Sequence, residues 1–526
     1  MSREYPFIIG ITGHRDPVAE DSEFLRAQIS AVFSAVGSAC GDVPVKVMTS
    51  LAEGADQICA RIALEMGFGL ITVLPLETEE LETDFSGEAL EEFRSLMAAS
   101  EEVFVSPDVE NGDPEPAVVK LLGRDVAGRD SGPWQRRYRY RQAGLYITQR
   151  CQLLLSLWDG QEDASGCGTA AVMAYAGREW SHDGENFAYD PSVTVIPMRR
   201  RSGPDKAPEA EAVTQAELKK ISGEVALYAE HVRELNLRTR SGNGPESGED
   251  AANILAVEYR EKYRNAMWWV AVCNVAAVLL FMLYDVFEIR WATILTLIAV
   301  AASFVLQALT GGKGTNYLNK YIDYRALAET NRVQAFLTDA GSSRIAADFY
   351  TVFQKNMLPW VEQAARAAVP GGTGKTGADS DTLRRRWCLG QYAYHRNALK
   401  RDVSRLEKQE LFTRSAAVIS AAIYLALMAV EYVLNRGTGS STDIIRILKV
   451  VLAFATAVSV FASDFYAGQK LDWKCSDSER MADLYAKADA EWQRLDEEGS
   501  SKEDLVLMLA RAEIVENGNW VASQRK

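Results

Sequence analysis

The chain has 526 residues, a formal net charge of −15 at pH 7 and a slightly negative mean hydropathy. That length exceeds one core and predicts two or three domains. The acidic balance, with no basic stripe to meet phosphates, excludes nucleic acid as a partner, and the hydropathy excludes an all-membrane transporter. Seven cysteines stand singly at Cys40, Cys59, Cys151, Cys167, Cys273, Cys388 and Cys475. This odd, unclustered set reads as free thiols in a reducing compartment, not as a disulfide framework or a zinc site.

The first ten residues hold only a short apolar stretch, so no signal peptide is expected. From residue 7 to about 200, short apolar runs alternate with helical patterns. Phe7–Thr12, Val45–Thr49, Leu70–Leu74, Glu102–Val105, Gln152–Trp158 and Val193–Pro197 read as strands. Helical stretches such as Phe24–Ala39 and Asp56–Met66 lie between them. The alternation predicts a doubly wound, Rossmann-like α/β domain over residues 1–205. In such sheets a ligand sits beyond the carboxyl ends of the strands.

Three turns at that edge are rich in small residues. The first strand runs into Gly13-His14-Arg15-Asp16, the second into Ser50-Leu51-Ala52-Glu53-Gly54-Ala55-Asp56. The fifth runs into Trp158-Asp159-Gly160, with Gly166-Cys167-Gly168-Thr169 opening a helix. Small residues let backbone N–H groups approach a phosphate, a helix N-terminus adds a favourable dipole, and Arg15 supplies a planar charged donor. One such turn is only a tight connection; three on one edge predict a nucleotide crevice. The expected ligand contacts are Gly13, His14, Arg15, Ser50, Glu53, Gly54, Asp56, Trp158, Asp159, Gly166, Gly168 and Thr169. His14 reads as a ligand contact or turn residue, since no carboxylate or nucleophile is obviously placed with it. No metal and no cofactor beyond the nucleotide-derived ligand are expected.

The stretches Ile9–Asp16, Ser50–Asp56 and Tyr140–Met173 resemble the SLOG superfamily, the nucleotide-binding Rossmann-like fold shared by Smf/DprA and LOG proteins. LOG enzymes cleave nucleoside monophosphates with a Pro-Gly-Gly-x-Gly-Thr-x-x-Glu motif. The matching positions here run from Ala164 and Ser165 through Gly166, Cys167, Gly168 and Thr169 to Val172. Glycine and threonine survive, but valine stands where the catalytic glutamate would be, and valine cannot transfer a proton. The resemblance therefore implies binding without hydrolysis.

A polar exit at Arg199–Ala207 leads to a helical pattern over Glu209–Leu237 within the linker 206–250, and Ser241–Asp250 reads as a loop. Then come two uncharged apolar runs, Ala266–Tyr284 and Trp291–Leu309. A second pair follows at Ser415–Leu434 and Ile447–Phe465. Each spans roughly 28 Å as a helix, the hydrocarbon thickness of a bilayer. Between the pairs, Asn316–Leu337 and Ser342–Ala368 read as helices, 370–382 as a linker, and Leu383–Phe412 as a helix entering the third span. Gly374-Lys375-Thr376 lacks the first glycine and the preceding strand of a phosphate loop and belongs to the linker, and Gly311–Thr315 is dismissed likewise. Residues 496–526 form a helical tail.

Lys and Arg concentrate outside the short hairpin loops. The positive-inside rule then places Asp285–Arg290 and Asn435–Arg446 outside and the N-terminal domain and C-terminus in the cytoplasm. Asn274, Ser303, Gln307 and Glu431 are polar positions in the spans. They either face a pore or, as for Glu431 and Asp464, lie near the interface, with Lys449 snorkelling. Each hairpin is flanked by charged helices, a weak internal repeat. This organisation looks like SLATT, the two-transmembrane effector domains that accompany SLOG domains in bacterial anti-phage systems. It covers 251–369 and 383–495, with Tyr324–Glu329 and Trp387–His395 as the best local matches. The combined resemblance implies a multi-pass inner-membrane protein in which a nucleotide second messenger controls a pore. Four helices do not readily enclose a pore, so a homo-oligomer is expected. A membrane-tethered nucleotide hydrolase and a non-conducting scaffold are the alternatives.

Overall fold

The computed structural model describes residues 4–109, 134–161, 166–177, 189–202, 212–240, 250–311, 316–368, 378–434, 442–467 and 470–525. The linkers expected at 241–249 and 370–377, most of the second hairpin loop, positions Ala164 and Ser165, and the side chain of Asp464 lie outside the described residues.

Six strands form one parallel sheet: β1 (Phe7–Gly13), β2 (Val45–Thr49), β3 (Gly69–Leu74), β4 (Glu102–Val105), β5 (Leu153–Trp158) and β6 (Ser192–Pro197). Every strand lies within a residue or so of the apolar run that predicts it. The order is β4-β3-β2-β1-β5-β6, so the winding reverses between β1 and β5. Strand β1 is buried along nearly its whole length, as a central parallel strand covered on both faces must be. The long helices of this part are α1 (Ser22–Cys40), α2 (Ala55–Glu65), α3 (Glu88–Ala99), α4 (Trp134–Arg150), α5 (Thr169–Ala176) and α6 (Gln215–Arg240). Helix α4 buries Ala143, Tyr146 and Ile147 against Ile8, Met48, Ile71, Val73 and Leu154.

The remaining long helices are α7 (Ala251–Phe287), α8 (Arg290–Gly311), α9 (Tyr317–Asp339), α10 (Pro359–Ala367), α11 (Gly390–Leu434), α12 (Thr442–Ala467), α13 (Leu471–Glu498) and α14 (Glu503–Gln524). The chain forms two compact units: residues 1–254, 323–378 and 506–526, and residues 255–322 and 379–505.

In the first unit, segment 323–378 and α14 join the sheet through specific polar contacts. Gln152 receives Ile8 N–H at 2.7 Å and donates to the Gln363 carbonyl at 2.9 Å. Asn517 donates to the Ala326 carbonyl at 3.2 Å, and Gln354 to that of Ile514 at 2.9 Å. The guanidinium of Arg366 is buried between Asp348 and Glu362, each at 2.9 Å. The stretch expected as one helix over Ser342–Ala368 is broken into a 3-10 turn at Ala346–Phe349, a helix at Val352–Met357 and α10. Thr351 caps the second piece by accepting from Gln354 N–H, and Pro359 cannot donate to a continuing helix, so it begins the third.

The second unit holds four helices long and apolar enough to cross a membrane: Ala251–Phe287, Arg290–Ala308, Ser380–Tyr432 and Ile445–Ser463. Their apolar windows are almost wholly unburied, which in water would leave Phe281, Ile294, Leu297, Phe304, Val418, Leu425 and Val460 exposed. Surfaces of that size fit a bilayer. Helix α11 runs on without a break from the polar stretch into the third span and packs on α12 and α13. Three contacts set the packing of α11, and of the helical turns Ser380–Leu389 that lead into it, against α13: Ser380 accepts from Trp492 Nε1 at 3.1 Å, Arg384 meets Asp489 at 2.8 Å, and His395 stacks on Tyr485. The partners descend as the numbers ascend, so the two helices are antiparallel.

Candidate functional site

The reversal between β1 and β5 puts a crevice at the carboxyl ends of those two strands, the usual ligand position in such a sheet. The loop after β1 is held on both sides. His14 N–H donates to the Leu157 carbonyl at 3.2 Å, and the His14 carbonyl accepts from Ala55 N–H at 3.1 Å. Gly54 has φ +84°, and a Cβ there would lie 2.5 Å from the Arg15 carbonyl oxygen, so this close approach of the two loops needs glycine.

At the centre, His14 Nε2 lies 2.9 Å from Asp159 Oδ1. The sequence-based view that no carboxylate accompanies His14 is thereby corrected: the partner comes from the end of β5, 145 residues away. Asp159 is 3% exposed. Burial alone would raise its pKa. The Gln161 N–H at 3.0 Å, His14, and Arg200, whose Nη1 lies 3.7 Å from the second oxygen, outweigh burial and hold it below its ordinary value. An ionised carboxylate only accepts, so His14 Nε2 donates to it.

Arg200 also donates from Nε to Asp16 at 3.0 Å, and Asp16 accepts from Ser202 N–H at 2.9 Å. Residues 16–18 thus pair with 199–202, next to the His14–Asp159 contact. After β2 stands Asp56, 4% exposed, accepting from the Thr49 hydroxyl at 2.8 Å. Burial pushes its pKa up to about 6, against the opposing hydrogen bonds of Thr49 and the Ala52 and Ser50 N–H groups and the charge of Arg15. Ser50 and Glu53 are half-buried on the same loop, where Leu51 takes a positive φ of 54°.

Arg15 is exposed, with its guanidinium 5.0 Å from the centre of the Tyr140 ring. Trp158 donates from its indole to the Gln161 carbonyl at 3.1 Å. Gly166 and Gly168 lead into α5, whose first residue, Thr169, is buried. Arg141 donates to the Gly166 carbonyl at 3.3 Å and so positions that glycine turn. Among the described residues no group of His, Cys, Asp and Glu could hold a metal ion.

Val172 is 5% exposed and belongs to the core with Tyr146, Ile147 and Leu154. A Cβ at Gly144 would come within 2.5 Å of its Cγ2, so α4 and α5 touch at this point. The side chain at position 172 is therefore packing material.

Sequence reasoning did not single out Thr49, Arg139, Arg141 or Arg200. The signal for two of them was present in Arg136-Arg137-Tyr138-Arg139-Tyr140-Arg141, a run of cations at the start of α4. Arg139 donates to the carbonyls of Pro75 at 3.2 Å and of Ser106, the residues after β3 and β4. Of the four polar span positions, Gln307 donates to Ser303 at 3.2 Å one turn away, Asn274 is half-buried, and Glu431 lies 3.4 Å from Lys449. Comparison with protein-family models finds no match, and comparison with curated proteins finds no similar sequence.

Proposed function

We propose that the α/β part of this chain binds a nucleotide-derived ligand and that binding controls the membrane helices, which act as a pore-forming effector in a bacterial anti-phage system. One observation carries the reading. Arg15, His14, Asp56, Asp159 and the Gly166–Thr169 turn, from separate parts of the chain, gather at the winding reversal of one sheet. The division of labour follows from their chemistry. Arg15 and the N–H groups at the start of α5 suit a phosphate, while His14 Nδ1 suits a sugar hydroxyl. The core position of Val172 supports binding over cleavage. Helices α7 and α9 each contribute residues to both units, which gives a signal a covalent route. The SLOG and SLATT resemblances supply the anti-phage setting, the inner membrane, the cytoplasmic sensor and the homo-oligomer.

The test uses the full chain in detergent, because 323–378 and 506–526 are part of the sensor unit. A panel of phosphate-bearing nucleotides is screened by thermal shift, and the reaction mixture is analysed for free base and ribose phosphate. A stabilising nucleotide recovered intact, together with ligand-dependent ion leakage from liposomes, is the expected result. If no nucleotide stabilises the chain, the sensor reading fails.

The His14–Asp159 pair favours one other reading. A ring nitrogen held by a carboxylate leaves the other nitrogen placed to take a proton from water, as in a hydrolase. Steady release of base or ribose phosphate, lost in His14→Asn, would establish it.

A further inference from the structure

Exposed aromatic side chains mark both edges of the apolar zone of the second unit. Trp268 and Trp269 on α7 and Phe412 on α11 mark one edge. Tyr284 and Phe287 on α7, Trp291 on α8 and Tyr432 on α11 mark the other. The two rows on α11 are 20 residues apart in sequence, roughly 30 Å along a helix. Tryptophan and tyrosine settle at the two faces of a bilayer in this way.

Charge is distributed unequally between those edges. Residues 258–266, 317–322, 400–414 and 470–476 lie within about 18 Å of the first edge along their helices. They carry eleven Lys and Arg against six Asp and Glu, in a chain whose total is −15. The other edge, 285–290 and 431–449, carries four of each. Part of the excess on the first edge is matched. Arg414 meets Glu410 at 2.9 Å, Arg405 meets Asp402 at 3.3 Å and Arg264 meets Glu261 at 3.7 Å. Lys262 and Lys320, however, crowd the same ring, 4.5 and 4.9 Å from the centre of Tyr259, and Lys320 donates to its hydroxyl at 3.1 Å. Burial lowers the pKa of Lys474; Asp402 offsets this in part, while Arg405 and Arg260 push it further down. Cations from α7, α11 and α13 thus approach one another around Lys474, beside the row where phospholipid headgroups would lie.

We infer that this basic collar, centred on Arg260, Lys262, Arg405, Lys408 and Lys474, binds the phosphates of anionic lipid headgroups in the leaflet it faces. The inference rests on the reading that the four apolar helices span a bilayer. Each cation near such a surface favours anionic over zwitterionic lipid by about fivefold.

The full chain is reconstituted into equal parts of phosphatidylcholine and phosphatidylglycerol and re-extracted, and the co-purifying lipid is quantified by mass spectrometry. A phosphatidylglycerol-to-phosphatidylcholine ratio about fivefold above that of the bulk mixture is expected. This enrichment should shrink at molar salt. It should also be lost in Arg260→Gln/Lys262→Gln/Arg405→Gln/Lys408→Gln and be kept in Lys262→Arg/Lys408→Arg. Neutralising Arg290 and Arg446 at the other edge should leave it unchanged. Retained lipid of bulk composition, or enrichment indifferent to molar salt in the unmodified chain, overturns the proposal whether or not the quadruple variant folds. A chain released from membranes by alkaline carbonate would instead sink the bilayer-spanning reading itself.

Discussion

Asp56 offers a measurable conflict between stability and site chemistry. Its carboxyl is 4% exposed and its pKa stands at about 6, against about 3.9 in an unfolded chain. Ionising it inside the folded unit therefore costs about 3 kcal/mol. The sign follows from proton counting. Between about pH 4 and pH 6 the folded state holds a proton that the unfolded state has released, so stability is fully present below pH 4 and falls as pH rises through 6. Asp56→Asn keeps an acceptor for the Thr49 hydroxyl and removes the charge. It should leave stability at pH 4 unchanged and raise it at pH 7.5 by about 3 kcal/mol, or roughly 4 °C for a unit of this size. The assay is thermal unfolding of the full chain in detergent at a series of pH values, parent and variant side by side. The same variant should bind the stabilising nucleotide more weakly, because a charged group retained at a cost in stability points to a task at the site. Parallel stability–pH curves for the two proteins between pH 5 and 7.5 would refute the argument, since they would show that Asp56 does not titrate in that window.

Three further outcomes are expected. Arg15→Ala should weaken nucleotide binding by roughly tenfold to a hundredfold, the worth of one charge-assisted hydrogen bond, and Thr169→Val should weaken it less, both read by titration calorimetry. A cysteine placed at Asp285 should react with an impermeant maleimide in intact cells, whereas one at Lys219 should not; the reverse pattern would invert the topology. Arg366→Met should destabilise the sheet-containing unit by about 3 kcal/mol, because it strands the buried carboxylate of Glu362 and the part-buried one of Asp348. Converting Asp348 and Glu362 to their amides in the same chain should recover much of that loss, as measured by chemical denaturation.

The parts of this fold legible in the sequence are those written in short-range pattern. A parallel strand covered on both faces must be largely apolar, and Leu153–Trp158 is but for Ser156; a bilayer helix must be largely apolar for about twenty residues, and Ser415–Leu434 is, with Glu431 near its end. Turn chemistry was equally local, so the glycine-rich connections after β1, β2 and β5 could be placed at one sheet edge before any contact was known. What depends on pairing across long separations was not legible. His14 meets Asp159, and Arg200 meets Asp16, only because β1 and β5 are neighbours and the chain returns after β6. The same holds for residues 323–378 and 506–526. Their membership in the sheet-containing unit is set by single side chains such as Gln152, Arg366 and Asn517, whose partners lie on distant segments. Pattern also misled at Ser342–Ala368, where helical periodicity hid the Thr351 cap and the Pro359 start.

Asp56 and Asp159 are both nearly unexposed and both belong to the same sheet edge, yet their environments push them in opposite directions. Asp159 has a backbone N–H, an imidazole and a guanidinium around it and stays ionised. Asp56 has hydroxyl and amide donors with Arg15 acting only through space, and burial wins. One carboxylate is therefore a fixed acceptor for His14 Nε2, and the other changes protonation near pH 6. Carboxylates driven apart in this way mark sites where protons are placed deliberately. A bound phosphate beside Arg15 would cancel part of the one charge that helps keep Asp56 ionised, and so would favour its protonated form. Ligand binding should then be accompanied by proton uptake near pH 6.5. Calorimetric titrations in buffers of different ionisation enthalpy measure that uptake directly. A binding heat independent of buffer would show that Asp56 is insensitive to the ligand and that the coupling does not exist.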